Sequence, residues 1–251
     1  MPTQEELVEI IINSLTQLNP DDSATDKLAF YCYIPHKKLP ECLEKFKQHL
    51  QISQPTPKQL QERGKFLAPI VYLVFLGLKG ATSFQSFQSA RPQYDLLVSG
   101  DNEKWMTICK LLYLKENRRD IIIEAKAKQS KLADKDFARL CSIMDLQLAN
   151  SGLGIFCTLE GATGFPERNS TTRQRTIGDC RLRQVLYHAN TNQYIIVLNK
   201  EDIFSLDKPG SLITLLTRNI RDISEMSGLP PVSVEKLKEV DLPQHLKDFD
   251  T

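Results

Sequence analysis

The chain has 251 residues, of which 41% are hydrophobic and 25% charged. That length can bury a core without disulfide or metal staples, and the composition excludes collagen-like, coiled-coil and disordered classes. Thirty-two Lys and Arg face 31 Asp and Glu, a formal net charge of +1, so a nucleic-acid site must be a local patch rather than a basic coat.

Gln4, Glu5 and Glu6 stand where a secretory leader would be positive. The longest apolar run, 66–78, is too short to cross a bilayer and contains Pro69. None of the six cysteines forms a CxxC pair, and Cys109, Cys141 and Cys157 fall inside apolar periodic segments. That pattern argues for core thiols rather than a disulfide framework or zinc site. A cytoplasmic protein without membrane contact is expected.

Thr3 to Glu6 reads as a capping box, and Leu7, Ile10, Ile11, Leu15 and Leu18 continue at helical spacing until Pro20. Residues 21–26 read as a polar loop. Leu39, Leu43, Phe46 and Leu50 mark a second amphipathic helix, and Pro55 and Pro57 punctuate its end. The organisation expected is a helical segment over 1–54, a core domain over 55–228 and a charged peripheral tail over 229–251. Thr56-Pro57-Lys58-Gln59 opens the core with a capping box and Pro at the first helical position. Pro69 is expected to kink or end that helix.

Strands are expected over 82–89 and 94–98, and another over the apolar run 105–114. Residues 115–119 read as a solvated turn, and 120–128 as the strongest strand. A helix follows, carrying Phe137, Leu140, Cys141, Met144 and Leu148 and closing at 150–152. Residues 154–159 and 194–198 read as buried strands, separated by a polar, Arg-rich stretch over 167–183. Leu212, Leu216, Ile220 and Ile223 form a last helix stopped by Gly228. This order indicates a mixed α/β domain.

The chemistry concentrates in Ile121-Ile122-Ile123-Glu124-Ala125-Lys126-Ala127-Lys128. Alternate side chains of a strand share a face, so Glu124, Lys126 and Lys128 project together. Asp95 is a charge inside an otherwise apolar strand, costly unless paired or metal-bound. Two carboxylates and a lysine meeting on a sheet suit phosphodiester chemistry. The carboxylates hold Mg²⁺, a hard ion with oxygen ligands, and the ammonium stabilises the phosphate as charge builds. Ala125 is small, and its carbonyl can add a ligand.

Asp95 followed by Glu124-Ala125-Lys126 on a hydrophobic strand resembles the PD-(D/E)xK motif of the restriction-endonuclease-like nuclease superfamily. The likeness covers residues 56–200, and its C-terminal part is similar in style to Mrr-like members. Tyr94 stands where the motif has Pro. The resemblance implies a restriction-endonuclease-like core, a mixed central sheet flanked by helices, with an N-terminal helical extension. It implies Mg²⁺-dependent hydrolysis of double-stranded DNA leaving 5′-phosphates, in a restriction or DNA-defence role, by a homodimer. Asp95, Glu124 and Lys126 would be catalytic. Asp95, Glu124, Ala125 and, through a bound water, Glu62 would serve the metal.

Other readings stand beside these. Asp120 is a rival to Asp95, and Asp95 can instead cap a turn or pair with Arg91. Glu124 and Lys126 can be the wet face of an edge strand. Glu62 can be a first-turn carboxylate facing the helix dipole, and Asp134 the cap of its helix. Lys128, Arg173, Arg175, Arg181 and Arg183 are candidate DNA-binding residues, or ordinary solvated surface. The four histidines share no ligand spacing, and Gly77-Leu78-Lys79-Gly80 lacks the form of a phosphate loop. A non-catalytic nucleic-acid-binding or assembly subunit on the same scaffold is the alternative function.

Overall fold

The computed structural model describes residues 23–52, 56–87, 94–146, 148–165 and 178–229. The expected helix over 7–18 and the C-terminal tail lie outside them. Three helices come first: α1 (Ser23–Cys32), α2 (Leu39–Leu50) and α3 (Pro57–Phe75). Then follow β1 (Ser83–Phe87), β2 (Tyr94–Ser99), α4 (Glu103–Leu111), β3 (Asp120–Lys126) and α5 (Asp134–Leu146). The chain continues as β4 (Ser151–Thr158), α6 (Asp179–Thr191), β5 (Tyr194–Leu198), α7 (Lys200–Phe204) and α8 (Ser211–Ser227).

The five strands form one mixed sheet in the order β1-β2-β3-β4-β5. β1, β2 and β3 are antiparallel neighbours, whereas β3, β4 and β5 run parallel. β3 is thus the central strand, and helices cover both of its faces. Ile121 and Ile123 enter one hydrophobic cluster, shared with α2, α3 and α8. Ile122 enters the other, under α5 and α6. Parallel strands buried on both faces need continuous apolar sequence, and all eight residues of β4 are buried.

The residues of 23–52 are built into the first of these clusters. Ala29, Tyr33, Leu39, Leu43 and Phe46 pack with Leu67 and Leu212, and the Tyr33 hydroxyl donates to the Leu206 carbonyl at 2.8 Å. α3 begins with the expected capping box: Thr56 Oγ1 accepts from the Gln59 amide, and Gln59 Oε1 accepts from the Thr56 amide at 2.8 Å. Pro69 does not end it. The prolyl residue and Lys65, whose carbonyl loses its donor, are both exposed, so water takes the vacant acceptor while Leu67, Ile70, Val71, Val74 and Phe75 hold the helix inward.

Four local expectations are corrected. Residues 105–114 do not form a strand. Trp105, Ile108, Cys109 and Leu112 recur at helical spacing and are buried in and just after α4, which Asn102 caps by accepting from the Trp105 amide at 3.1 Å. Residues 23–26 belong to α1 rather than to a loop. The Arg-rich stretch gives way at Asp179 to α6, whose buried side includes Gln184 and His188 and so lacks an apolar stripe. α5 ends at Leu146, because Ser151 and Gly152 already belong to β4.

Two glycines allow the layers to close. A Cβ on Gly154 would lie 2.8 Å from Met144 Sδ and 2.9 Å from Leu140 Cδ2, so α5 rests directly on β4. At Gly152 a Cβ would meet the Arg118 carbonyl oxygen at an impossible 2.2 Å. Backbone cannot swing aside as a side-chain tip can. Gly152→Ala is therefore expected to lose about 1–3 kcal/mol by overpacking, measured by urea denaturation; wild-type stability would contradict this packing.

Candidate functional site

The ladder between β2 and β3 runs from Val98↔Ile121 to Leu96↔Ile123. The ladder ends there, and Asp95, the next residue of β2, is exposed. Leu97 and Ile122 pack under α5 and α6 together with Tyr94, so two residues three apart in β2 face the same way and its alternation breaks at Asp95. At this point the Asp95 side chain takes over from the ladder: its Oδ2 accepts the Ala125 amide hydrogen at 2.6 Å. The structure therefore ties Asp95 to the residue between Glu124 and Lys126. The pairing considered with Arg91 lies outside the described residues.

Glu124 is 2% exposed, on the central strand. The edge-strand reading is thereby overturned. Lys126 Nζ lies 3.0 Å from Glu124 Oε2, and Arg139 Nη2, reaching from α5, lies 3.6 Å from Oε1. The second distance exceeds hydrogen-bond reach, and Glu124 Oε1 is buried with no hydrogen-bond partner. A carboxylate removed from water and only half satisfied is costly. Its free oxygen is of the donor type that a hard cation takes.

Asp120, the rival carboxylate, pairs with Ser151 at the other end of β3. Four residue steps of strand separate it from Glu124, about 13 Å at an extended rise. Burial pushes its carboxyl above the usual carboxylate range. Glu62 sits on α3 with Oε2 3.5 Å from His49 Nε2. Among the described residues no three His, Cys, Asp or Glu side chains converge as a metal-holding group. The groups that Asp95, Glu124 and the Ala125 carbonyl could offer a cation are all oxygens, the donor type a hard ion takes.

The candidate DNA-binding cations are mostly committed within the protein. Lys128 pairs with Asp136 at 3.4 Å. Arg183 grips Asp134 with two hydrogen bonds, 2.5 and 2.6 Å, so Asp134 anchors α5 to α6 rather than only capping its own helix. Arg183 beside it holds the Asp134 carboxyl below the usual range. Arg181 lies over the Phe165 ring, 4.9 Å from its centroid. Arg173 and Arg175 lie outside the described residues.

Sequence reasoning passed over Arg139, counted only as one of eight cations in 115–139. Its signal was its place on the helix following the Glu124 strand. The same helix is held at its far end by the Tyr187 hydroxyl, which donates to Asp145 Oδ1 at 2.8 Å. α6 thus clamps α5 at both ends and fixes the ridge from which Arg139 reaches Glu124.

All six cysteines are free thiols, and Cys109 and Cys141 are pushed up to about 12 by burial. Such thiols are inert, not nucleophilic. No helix among the described residues is long and apolar enough to cross a membrane. No family model matches the chain, and neither does any curated protein or solved structure.

The half-satisfied carboxylate has a measurable consequence. Glu124→Gln removes a buried charge and is expected to fold with stability equal to or above wild type. Lys126→Ala strands that charge beside Arg139 alone and is expected to cost about 1–3 kcal/mol. Combining the two should recover most of the loss, which a double-mutant cycle of denaturation energies measures. Additive losses would mean that the pair does not interact.

Proposed function

We propose that this protein is a Mg²⁺-dependent DNA endonuclease of the PD-(D/E)xK, restriction-endonuclease-like type. The observation that carries the reading is the junction of β2 and β3: buried Glu124 within 3.0 Å of the Lys126 ammonium, and Asp95 bonded to the amide between them. The element order supports it. α3 leads into three antiparallel strands, then α5 and a strand parallel to β3, as the motif resemblance implies, with α4 inserted between β2 and β3.

In this mechanism Asp95, Glu124 and the Ala125 carbonyl are the groups that would hold the metal. When bound, Mg²⁺ neutralises the scissile phosphate and acidifies an attacking water. Lys126 would orient the attacking water and offset the charge building on phosphorus. Arg139 supplies a second positive group on the α5 side. Water attacks phosphorus and gives a proton to solvent, the P–O3′ bond breaks and the O3′ takes a proton from solvent to leave as a hydroxyl, and the 5′-phosphate remains on the downstream fragment. Glu62, paired with His49, is not part of the proposal.

The biological setting proposed is restriction or DNA defence in the cytoplasm, with a homodimer cutting both strands of double-stranded DNA. A second reading, a non-catalytic nucleic-acid-binding subunit, is favoured by one feature: Lys126 and Arg139 already offset the charge of Glu124.

Plasmid relaxation in Mg²⁺ separates the two. Wild type is expected to nick or linearise DNA, while Asp95→Ala, Glu124→Ala and Lys126→Ala lose 10²-fold or more of the rate yet keep the fold by circular dichroism. That magnitude follows from removing one group that stabilises developing charge. Cleavage retained by Glu124→Ala, or a wild type that shifts DNA on a gel but never cuts it, would overturn the proposal.

A further inference from the structure

We propose that the cavity at the carboxyl ends of β4 and β5 binds a single nucleotide, stacking its base on Arg181 and holding its phosphate through Arg218. The choice of a nucleotide, rather than another planar anion, rests on the nucleic-acid reading above. The cavity holds about 560 Å³ and is bounded by the segment after β4, the end of β5, α6, α7 and α8. Sites for drug-sized molecules span roughly 300–1,000 Å³. One nucleotide fits such a volume, and a duplex does not.

Its position is that expected of a ligand site in a parallel sheet. Open α/β sheets bind ligands in crevices beyond the carboxyl ends of their strands. Glu124 and Lys126 lie at the carboxyl end of β3, the parallel neighbour of β4. The loops that follow β3 and β4 are joined by a bridge between Leu132 and Ala162, and Ala162 itself lines the cavity. Cavity and carboxylates therefore open on the same edge of the sheet, as a phosphate at one and a neighbouring nucleotide at the other require.

The lining has the two halves that a nucleotide needs. The Arg181 guanidinium is held in place: its carbon lies 4.9 Å from the Phe165 ring centroid, its Nη1 donates to Gln184 Oε1 at 2.7 Å, and its Nη2 donates to Met226 Sδ at 3.6 Å. A guanidinium plane held in this way is a platform on which a base stacks. Arg218 enters from α8 and is exposed, which suits a phosphate contact. Asp222, one turn further along α8, also lines the cavity and can accept from a base amino group or a sugar hydroxyl. Asp202 is turned to its own helix, where its Oδ2 accepts the Asn199 amide at 3.1 Å.

Calorimetric titration of the full chain with the four 2′-deoxynucleoside 5′-monophosphates, and with inorganic phosphate alongside, tests this without added metal. At least one monophosphate is expected to bind one site at least tenfold more tightly than phosphate. Arg218→Gln and Arg181→Gln should each weaken it tenfold or more, and Glu124→Gln should leave it unchanged. Arg218 is exposed, so its replacement spares the fold.

The assignment is overturned if no monophosphate binds at millimolar concentration, if phosphate binds as tightly, or if Arg218→Gln binds like wild type. Loss of binding in Glu124→Gln would overturn it too, by moving the ligand to the carboxylates. Because the titration reads no cleavage, a chain that binds nucleotide but never cuts DNA removes the nuclease reading alone. One that cuts DNA without binding nucleotide removes the cavity assignment alone.

Discussion

A carboxylate buried at the carboxyl end of the central strand is the constraint around which the rest of this structure is arranged. Glu124 has lost its water, and an ionised carboxylate cannot remain so without compensation. Lys126 answers one oxygen from the same strand face, two residues on, and Arg139 approaches the other without closing a hydrogen bond. The three isoleucines before Glu124 bind the strand into both hydrophobic clusters and so prevent it from turning the carboxylate out to solvent. Packing holds the charge in place. Its incomplete compensation is a cost accepted at one position, as strained or under-satisfied groups at functional sites commonly are.

The supporting layer extends this constraint to the adjacent elements. α5 can approach β4 closely because Gly154 has no side chain. It is then fixed from α6, by the double hydrogen bond from Arg183 to Asp134 at one end and by Tyr187 on Asp145 at the other. An arginine on a helix held at both ends loses less freedom on meeting a substrate than one on a loop. Along the same sheet edge, the parallel strands β3, β4 and β5 end side by side, bringing the carboxylates and the arginine-lined cavity onto one side of the molecule.

Much of the architecture was legible because period and punctuation agreed with it. The run of isoleucines marked β3, Thr56 and Gln59 marked the start of α3, and Gly228 marked the end of α8, where it adopts a left-handed φ of 71°. The 105–114 run misled because its continuous apolar character suggested a strand while the spacing of its buried residues was helical. α6 was invisible because its buried side carries polar residues whose contacts are tertiary: Gln184, whose Nε2 donates to the Ile195 carbonyl, and His188, whose ring stacks on Tyr194. For the site, alternation within 121–128 placed Glu124 and Lys126 together. The tie from Asp95 to the Ala125 amide and the approach of Arg139 depend on how strands and helices meet, which no local pattern encodes.

The central claim is that the Asp95–Glu124 junction binds a divalent cation, and Mn²⁺ reports on this directly because its free-ion paramagnetic resonance signal is lost on binding. Titrated into the full chain, Mn²⁺ should occupy a site that weakens tenfold or more in Asp95→Asn and in Glu124→Gln and is unchanged in Glu62→Gln. If wild type leaves the free-ion signal undiminished at millimolar protein, or if the two carboxylate variants bind Mn²⁺ as wild type does, the claim is contradicted.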